Sequence, residues 1–137
     1  MMSSQRAAAQ YRSVRSHGLV SDASPARLVQ VMYEHILSEL ATAQGCMQRI
    51  QENLPLDEVK SKCAAMGRAI RLIAQLNGTL DMERGGAVAG NLRALYEYML
   101  PRLALANATN DARLVAEAIA LVRKVKTGWD QIVTEQK

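Results

Sequence analysis

Four times along this chain, apolar residues recur at alternating steps of three and four, and a turn signal closes each run before the next begins. Leu28, Val29, Met32, Ile36, Leu40, Ala43, Met47 and Ile50 make the first stripe. Val59, Cys63, Met66, Ile70 and Ile73 make the second. Val88, Leu92, Leu95, Met99, Leu103 and Ala106 make the third, and Val115, Ala118, Val122, Val125, Trp129 and Ile132 the fourth. This period belongs to helices with one buried face, not to strands. Ser24 followed by Pro25 opens the first helix as a cap and first-turn pair. "NLPL" breaks the chain before the second helix, Asn77-Gly78 stops the second, and "NATND" separates the third from the fourth. Four helices of roughly 20 residues with short connections favour an antiparallel up-down bundle, since short loops leave no room for crossovers. The palette agrees: there is no Phe, one Trp and four Tyr, so Leu, Ile, Val, Met and Ala must fill the core. The chain of 137 residues is expected to be all-α. It divides into residues 1–23, an N-terminal helical or mobile segment, and residues 24–137, the four-helix bundle.

Charge excludes some functions. The net charge is +4, but Arg6, Arg12 and Arg15 fall within the first 21 residues, which hold no acid, leaving 14 bases against 13 acids elsewhere. A nearly neutral body without a basic, aromatic-studded face argues against nucleic acid. No window approaches the roughly 18 consecutive apolar residues of a membrane span, so membrane insertion is not expected. The Arg- and Ser-rich head, "SSQRAAAQYRSVRSHG", has the look of a transit peptide but lacks the apolar stretch of a secretion signal. Cys46 and Cys63 have no Cys-x-x-Cys partner, which fits a reduced, intracellular protein without a metal site.

The adjacent Gly85-Gly86 raises the question of a phosphate cradle. Such loops follow a strand and carry further glycines or a Lys-Ser/Thr pair, none of which is present, so a turn with backbone freedom at positive φ is the better reading. Asp81 and Glu83 then favour the next helix's N-terminus. Catalytic groupings are as sparse. His35 stands among Glu34 and Glu39 on a helix, His17 lies in the head, and no nucleophile sits at a usable spacing. Glu-x-x-His pairs of di-iron bundles are missing, and an enzyme is disfavoured. Pro101 removes the donor to the Glu97 carbonyl and is expected to kink the third helix.

What exceeds the needs of one core is apolar surface. Tyr33 and Leu37 fall at the edge of the first stripe, Leu72 and Leu76 lie away from the second, and Tyr98 and Leu105 stand opposite the third. Each pair alone is what the flank of a small bundle commonly packs. Three pairs on three helices suggest grooves of the kind that receive amphipathic helices from a partner.

With those residues in view, "SPARLVQVMYEHIL", "LNGTLDMERGGAVAGNLRALYEYML" and "RLALANATNDARLVAEAIALVRKVKTGWDQI" resemble, in order and over nearly the whole chain, the flagellin-specific export chaperones of the FliS family. The most specific part runs from Leu80-Asp81 through Gly85-Gly86 to Asn91-Leu92 and Leu95-Tyr96-x-Tyr98-Met99. Ala106-Asn107, Asn110-Asp111 and a late Trp129 follow it. The resemblance implies a cytoplasmic chaperone without cofactor that binds the C-terminal segment of flagellin, prevents premature polymerisation, and assists delivery to the flagellar type III export apparatus. It also implies a client groove, for which Tyr33, Leu37, Leu72, Leu76 and Tyr98 are the candidates. The N-terminal segment is similar to one that can cover the groove, with Tyr11 and Val14 as the displaceable plug. Two departures bear on groove shape: Glu34-His35 replaces a common Asp-Gly, and Pro101 interrupts a usually continuous helix. A helical adaptor or dimerisation module with another helical partner, using the same flanks, is the alternative, and a small enzyme a third reading; the chain itself is expected to be monomeric or a weak homodimer.

Overall fold

The computed structural model describes residues 24–51 and 56–135. Within them lie four helices: α1 (Pro25–Gln51), α2 (Leu56–Gly78), α3 (Gly86–Thr109) and α4 (Ala112–Glu135). Residues 1–23, including Tyr11 and Val14, lie outside the described residues. Each helix packs on its neighbours in the order α1, α2, α3, α4 and back to α1, and the diagonal pairs do not approach closely. Polar contacts fix the directions. Arg49 at the end of α1 meets Glu58 at the start of α2. Lys62 near the start of α2 meets Asn107 near the end of α3, and Gln30 near the start of α1 meets Asp130 near the end of α4. Neighbours are therefore antiparallel, as the short connections require.

The termini form where the local chemistry directs them. Ser24 Oγ accepts the Arg27 amide at 3.2 Å and the Ser24 carbonyl accepts that of Leu28 at 3.0 Å, a cap whose loss costs about 1 kcal/mol. Asn110 closes α3 in the left-handed region at φ 56°, where asparagine is among the few tolerated side chains. Asp111 Oδ1 then accepts the Arg113 amide at 3.0 Å and opens α4.

The first, third and fourth stripes are largely the buried faces, but the second is turned. In α2 the buried side is Lys62, Ala65, Met66, Ala69, Ile73 and Leu76, rotated by about 70° from the expected Val59–Cys63–Met66–Ile70–Ile73 line at about 100° per residue. Cys63 is exposed and Val59 and Ile70 only partly buried. Two alanines explain the turn: Ala65 and Ala69 let α2 lie close against its neighbours, a packing gain that a large-residue periodicity overlooks. Leu76, expected off the seam, is 3% exposed and part of the core.

Tyr33 is corrected likewise. It is 1% exposed, because its hydroxyl meets that of Tyr96 at 2.5 Å and so brings no unpaired polar group inside. Leu37 and Leu72 are partly buried against the core. In the other direction Val88, expected in the α3 seam, is 64% exposed, and Ile132 is also exposed. α3 runs unbroken through Pro101. Pro101 and Glu97 both lie on its exposed side, where water can serve the carbonyl that lost its donor.

Lys62 is the unexpected core member at 3% exposure. Its Nζ donates to the Asn107 carbonyl at 2.6 Å, so the ammonium sits at the negative end of α3, where the helix dipole and unpaired carbonyls favour a cation.

The turned face of α2 has a direct check in urea unfolding. Met66→Ala and Ile73→Ala should each cost about 2 to 5 kcal/mol, and Cys63→Ala should stay within about 0.5 kcal/mol. Equal losses at all three positions would restore the line read from large residues alone.

Candidate functional site

An open apolar groove of about 410 Å³ lies at the end of the bundle where the α2–α3 connection crosses. α1 contributes Val29 and Tyr33, α2 contributes Leu76, and Trp129 comes from α4. Thr79 and Leu80 come from the connection, and Ala89, Leu92 and Tyr96 from the first turns of α3. Tyr33 and Tyr96, joined through their hydroxyls, are buried beneath it. Trp129 meets Tyr33 edge-on, ring centroids 6.0 Å apart at 76°, a favoured aromatic arrangement. Its indole Nε1 donates to the Ala26 carbonyl at 2.7 Å, which orients the ring and ties α4 to the first turn of α1.

The connection forms one rim of the groove and is held there by local hydrogen bonds. Thr79 Oγ1 donates to the Leu76 carbonyl at 2.9 Å. Asp81 Oδ1 accepts the amides of Glu83 and Arg84 at 3.2 and 3.0 Å, and the Asp81 carbonyl accepts that of Gly85 at 2.8 Å. The two glycines do different jobs. A Cβ on Gly85 would come within 2.5 Å of Ala89 Cβ and 2.8 Å of the Asp81 oxygen, whereas Gly86 has open space but a φ of +53°. The expected freedom at positive φ is therefore needed at Gly86, and close approach is what Gly85 supplies. Asp81 and the exposed Arg84, 3.9 Å apart, give the apolar walls a charged lip, and Val88 projects beside it.

The sequence candidates do not form one surface. Tyr33 and Leu76 come together on the groove, as largely covered walls. Leu37 and Leu72 pack against the core and do not line it, and Tyr98 stands on the outer side of α3. Leu80, Val88, Leu92 and Trp129 were missed as groove residues. An apolar Leu80 inside a polar turn was the one signal that could have marked the place. His35 and Glu34 do not line the groove either. His35 Nε2 is 3.9 Å from Glu39 Oε2, and Glu39 is already bonded by Arg68.

Chemistry beyond binding has little to work with. Among the described residues no three His, Cys, Asp or Glu side chains gather to hold a metal ion. Cys46 is buried, and burial pushes its thiol up, with Glu58 adding to the effect; it is a packing residue rather than a nucleophile. Asp130, near the groove's α4 wall, is held below the usual carboxylate range, first by the Gln30 amide and then by Lys126.

Two outcomes follow for this end of the bundle. Gly85→Ala should lower the urea midpoint more than Gly86→Ala does, because backbone and Ala89 must move to admit the methyl; a smaller effect at Gly85 would discount the close approach. A carboxylate depressed in the folded state stabilises above its unfolded pKa and loses that contribution as pH falls through the folded value. Asp130→Asn should therefore cost stability at neutral pH and narrow its gap to the parent below about pH 4. A gap constant with pH would mean the depression is absent.

Comparison with known proteins places the chain. The family described as flagellar protein FliS matches residues 7–136. The flagellar secretion chaperone FliSB of Pseudomonas aeruginosa is 44% identical over 131 residues, 96% of this chain and 98% of that protein. The flagellar secretion chaperone FliS of Vibrio cholerae is 34% identical, covering 91% of this chain and 87% of its own. Its counterpart from Salmonella typhimurium is 33% identical, covering 89% and 86%. A match this long shows that the chain belongs to the FliS family, a family of chaperones and not of enzymes.

Proposed function

We propose that this protein is a flagellar export chaperone of the cytoplasm, which binds the C-terminal segment of flagellin, keeps it from polymerising early, and assists its delivery to the flagellar type III export apparatus. The observation that carries this reading is the open groove with a preset aromatic wall on a bundle that needs no partner to complete its core. Relatives that cover most of this chain are named flagellar secretion chaperones, and among the described residues no helix is long and apolar enough to cross a membrane. A chaperone must hold an apolar segment tightly enough to shield it and loosely enough to release it. A groove whose walls are already packed meets the first need, since little side-chain freedom is lost on binding. The second follows from the client: a segment that orders only when bound gives back part of its interaction energy as lost entropy.

On this reading Leu80, Val88, Leu92 and Trp129 touch the client, and Tyr33 and Leu76 support them from beneath. The N-terminal segment, with Tyr11 and Val14, covers the groove until a client displaces it. Support comes from where the bundle starts: Ser24 lies two residues before Ala26, whose carbonyl holds Trp129 at the groove wall.

Calorimetric titration with a synthetic peptide of the flagellin C-terminal segment tests the assignment. Val88→Asp and Leu80→Asp should weaken binding by about tenfold or more each, and Val88→Asp should leave the urea midpoint near the parent's because the side chain is exposed. Removing residues 1–23 should raise binding of an apolar dye and speed peptide association. Full binding by both aspartate variants would move the client elsewhere, and unchanged dye binding and association would make the head a plain tail.

A further inference from the structure

Two neighbouring residues of α4 grip consecutive turns of α1. Trp129 donates from its indole to the Ala26 carbonyl at 2.7 Å, and the Asp130 carboxylate accepts from the Gln30 amide at 2.5 Å. Successive side chains of a helix point about 100° apart, so the two contacts hold α4 from different sides. Trp129 lines the groove, and Asp130 does not. One hydrogen bond lets a helix end roll about its axis and carry a ring with it. Two at different angles do not.

Little else restrains this part of α4. The helix packs more extensively on α1 than on α3, and around Trp129 the residues Thr127, Gly128, Gln131 and Ile132 are exposed. Glycine weakens a helix interior, and a Cβ on Gly128 would meet nothing within 4 Å, so packing does not call for it. The polar pair, by contrast, is set at every atom. Gln30 Oε1 accepts from Arg27 and Gln30 Nε2 donates to Asp130 Oδ1. Asp130 Oδ2 accepts from Lys126 at 2.8 Å. Each donor thus meets an acceptor, which fixes the orientation of the Gln30 amide.

We propose that Gln30 and Asp130 are positioning residues for the client: their hydrogen bond fixes the roll of the last turns of α4 and so holds Trp129 as a wall of the groove. The role in binding rests on the flagellin reading above. Trp129 is the one tryptophan of the chain, so fluorescence reports its surroundings directly. Gln30→Glu sets carboxylate against carboxylate, and Asp130→Asn can satisfy Gln30 or Lys126 but not both. Each should shift the emission to longer wavelength, admit more acrylamide quenching, and weaken binding of the flagellin C-terminal peptide by about fivefold or more. Combining the two exchanges donor and acceptor: the carboxylate now on α1 accepts from Arg27 and from the amide on α4, whose oxygen still faces Lys126. The double variant should regain the parent's emission and bind the peptide within about twofold of it. Single variants that keep the parent's emission and affinity while melting earlier in urea would make the pair an ordinary tie between helices and overturn the proposal. A double variant no nearer the parent than its components overturns it too, as does emission that shifts with peptide affinity unchanged. A parent that fails to bind the peptide overturns the flagellin reading instead, and the emission of the three variants still decides whether the pair sets the indole.

Discussion

The hydroxyl pair of Tyr33 and Tyr96 is the contact on which the functional end of this molecule rests. The two residues sit on α1 and α3, the diagonal helices, whose backbones do not approach closely. Only long side chains can meet there. Two phenols fill that space, and because each satisfies the other's hydroxyl, the middle of the bundle can be polar at one point without an orphaned group. Trp129 leans edge-on against Tyr33 and anchors to Ala26. Three helices are thereby positioned at the end where the groove opens.

The connection between α2 and α3 completes the groove by forming one of its rims. Asp81 gathers the amides that precede α3, Gly85 lets the turn press against Ala89, and Gly86 takes the positive φ that redirects the chain. Leu80 is left on the groove wall. At the other end of the bundle Lys62 reaches the last turn of α3, so both ends of that helix are tied by specific polar contacts. The two ends of the bundle are thus treated oppositely: one holds a buried cation, and the other opens into an apolar, aromatic groove.

α3 is the shared element. Its inner face supplies core, its first turns supply groove, and its outer face exposes Tyr98 and Leu105. A position such as Val88 can read as core by spacing and still lie exposed, because on a helix with apolar residues on several sides the period does not single out one face.

How much was legible before the fold was seen divides along a physical line. Helix number, the Ser24–Pro25 start, the Asp81–Gly86 turn and the antiparallel order were readable, because caps, turns and short connections depend on residues near one another in the chain. The surplus of apolar surface was also readable, and Tyr98 and Leu105 do stand outside the core. The rotation of α2 was not: Ala65 and Ala69 are unremarkable in a hydropathy pattern, and only the neighbouring helices make their small size decisive. Nor could spacing tell that Tyr33 and Leu76 would be covered, that Lys62 would be buried, or that Leu80 and Trp129 would share a wall. Each of those depends on a partner tens of residues away. Sequence alone determined the pieces and their order, because those are set locally; which face of each piece turns inward, and therefore where the groove lies, was decided by packing between helices.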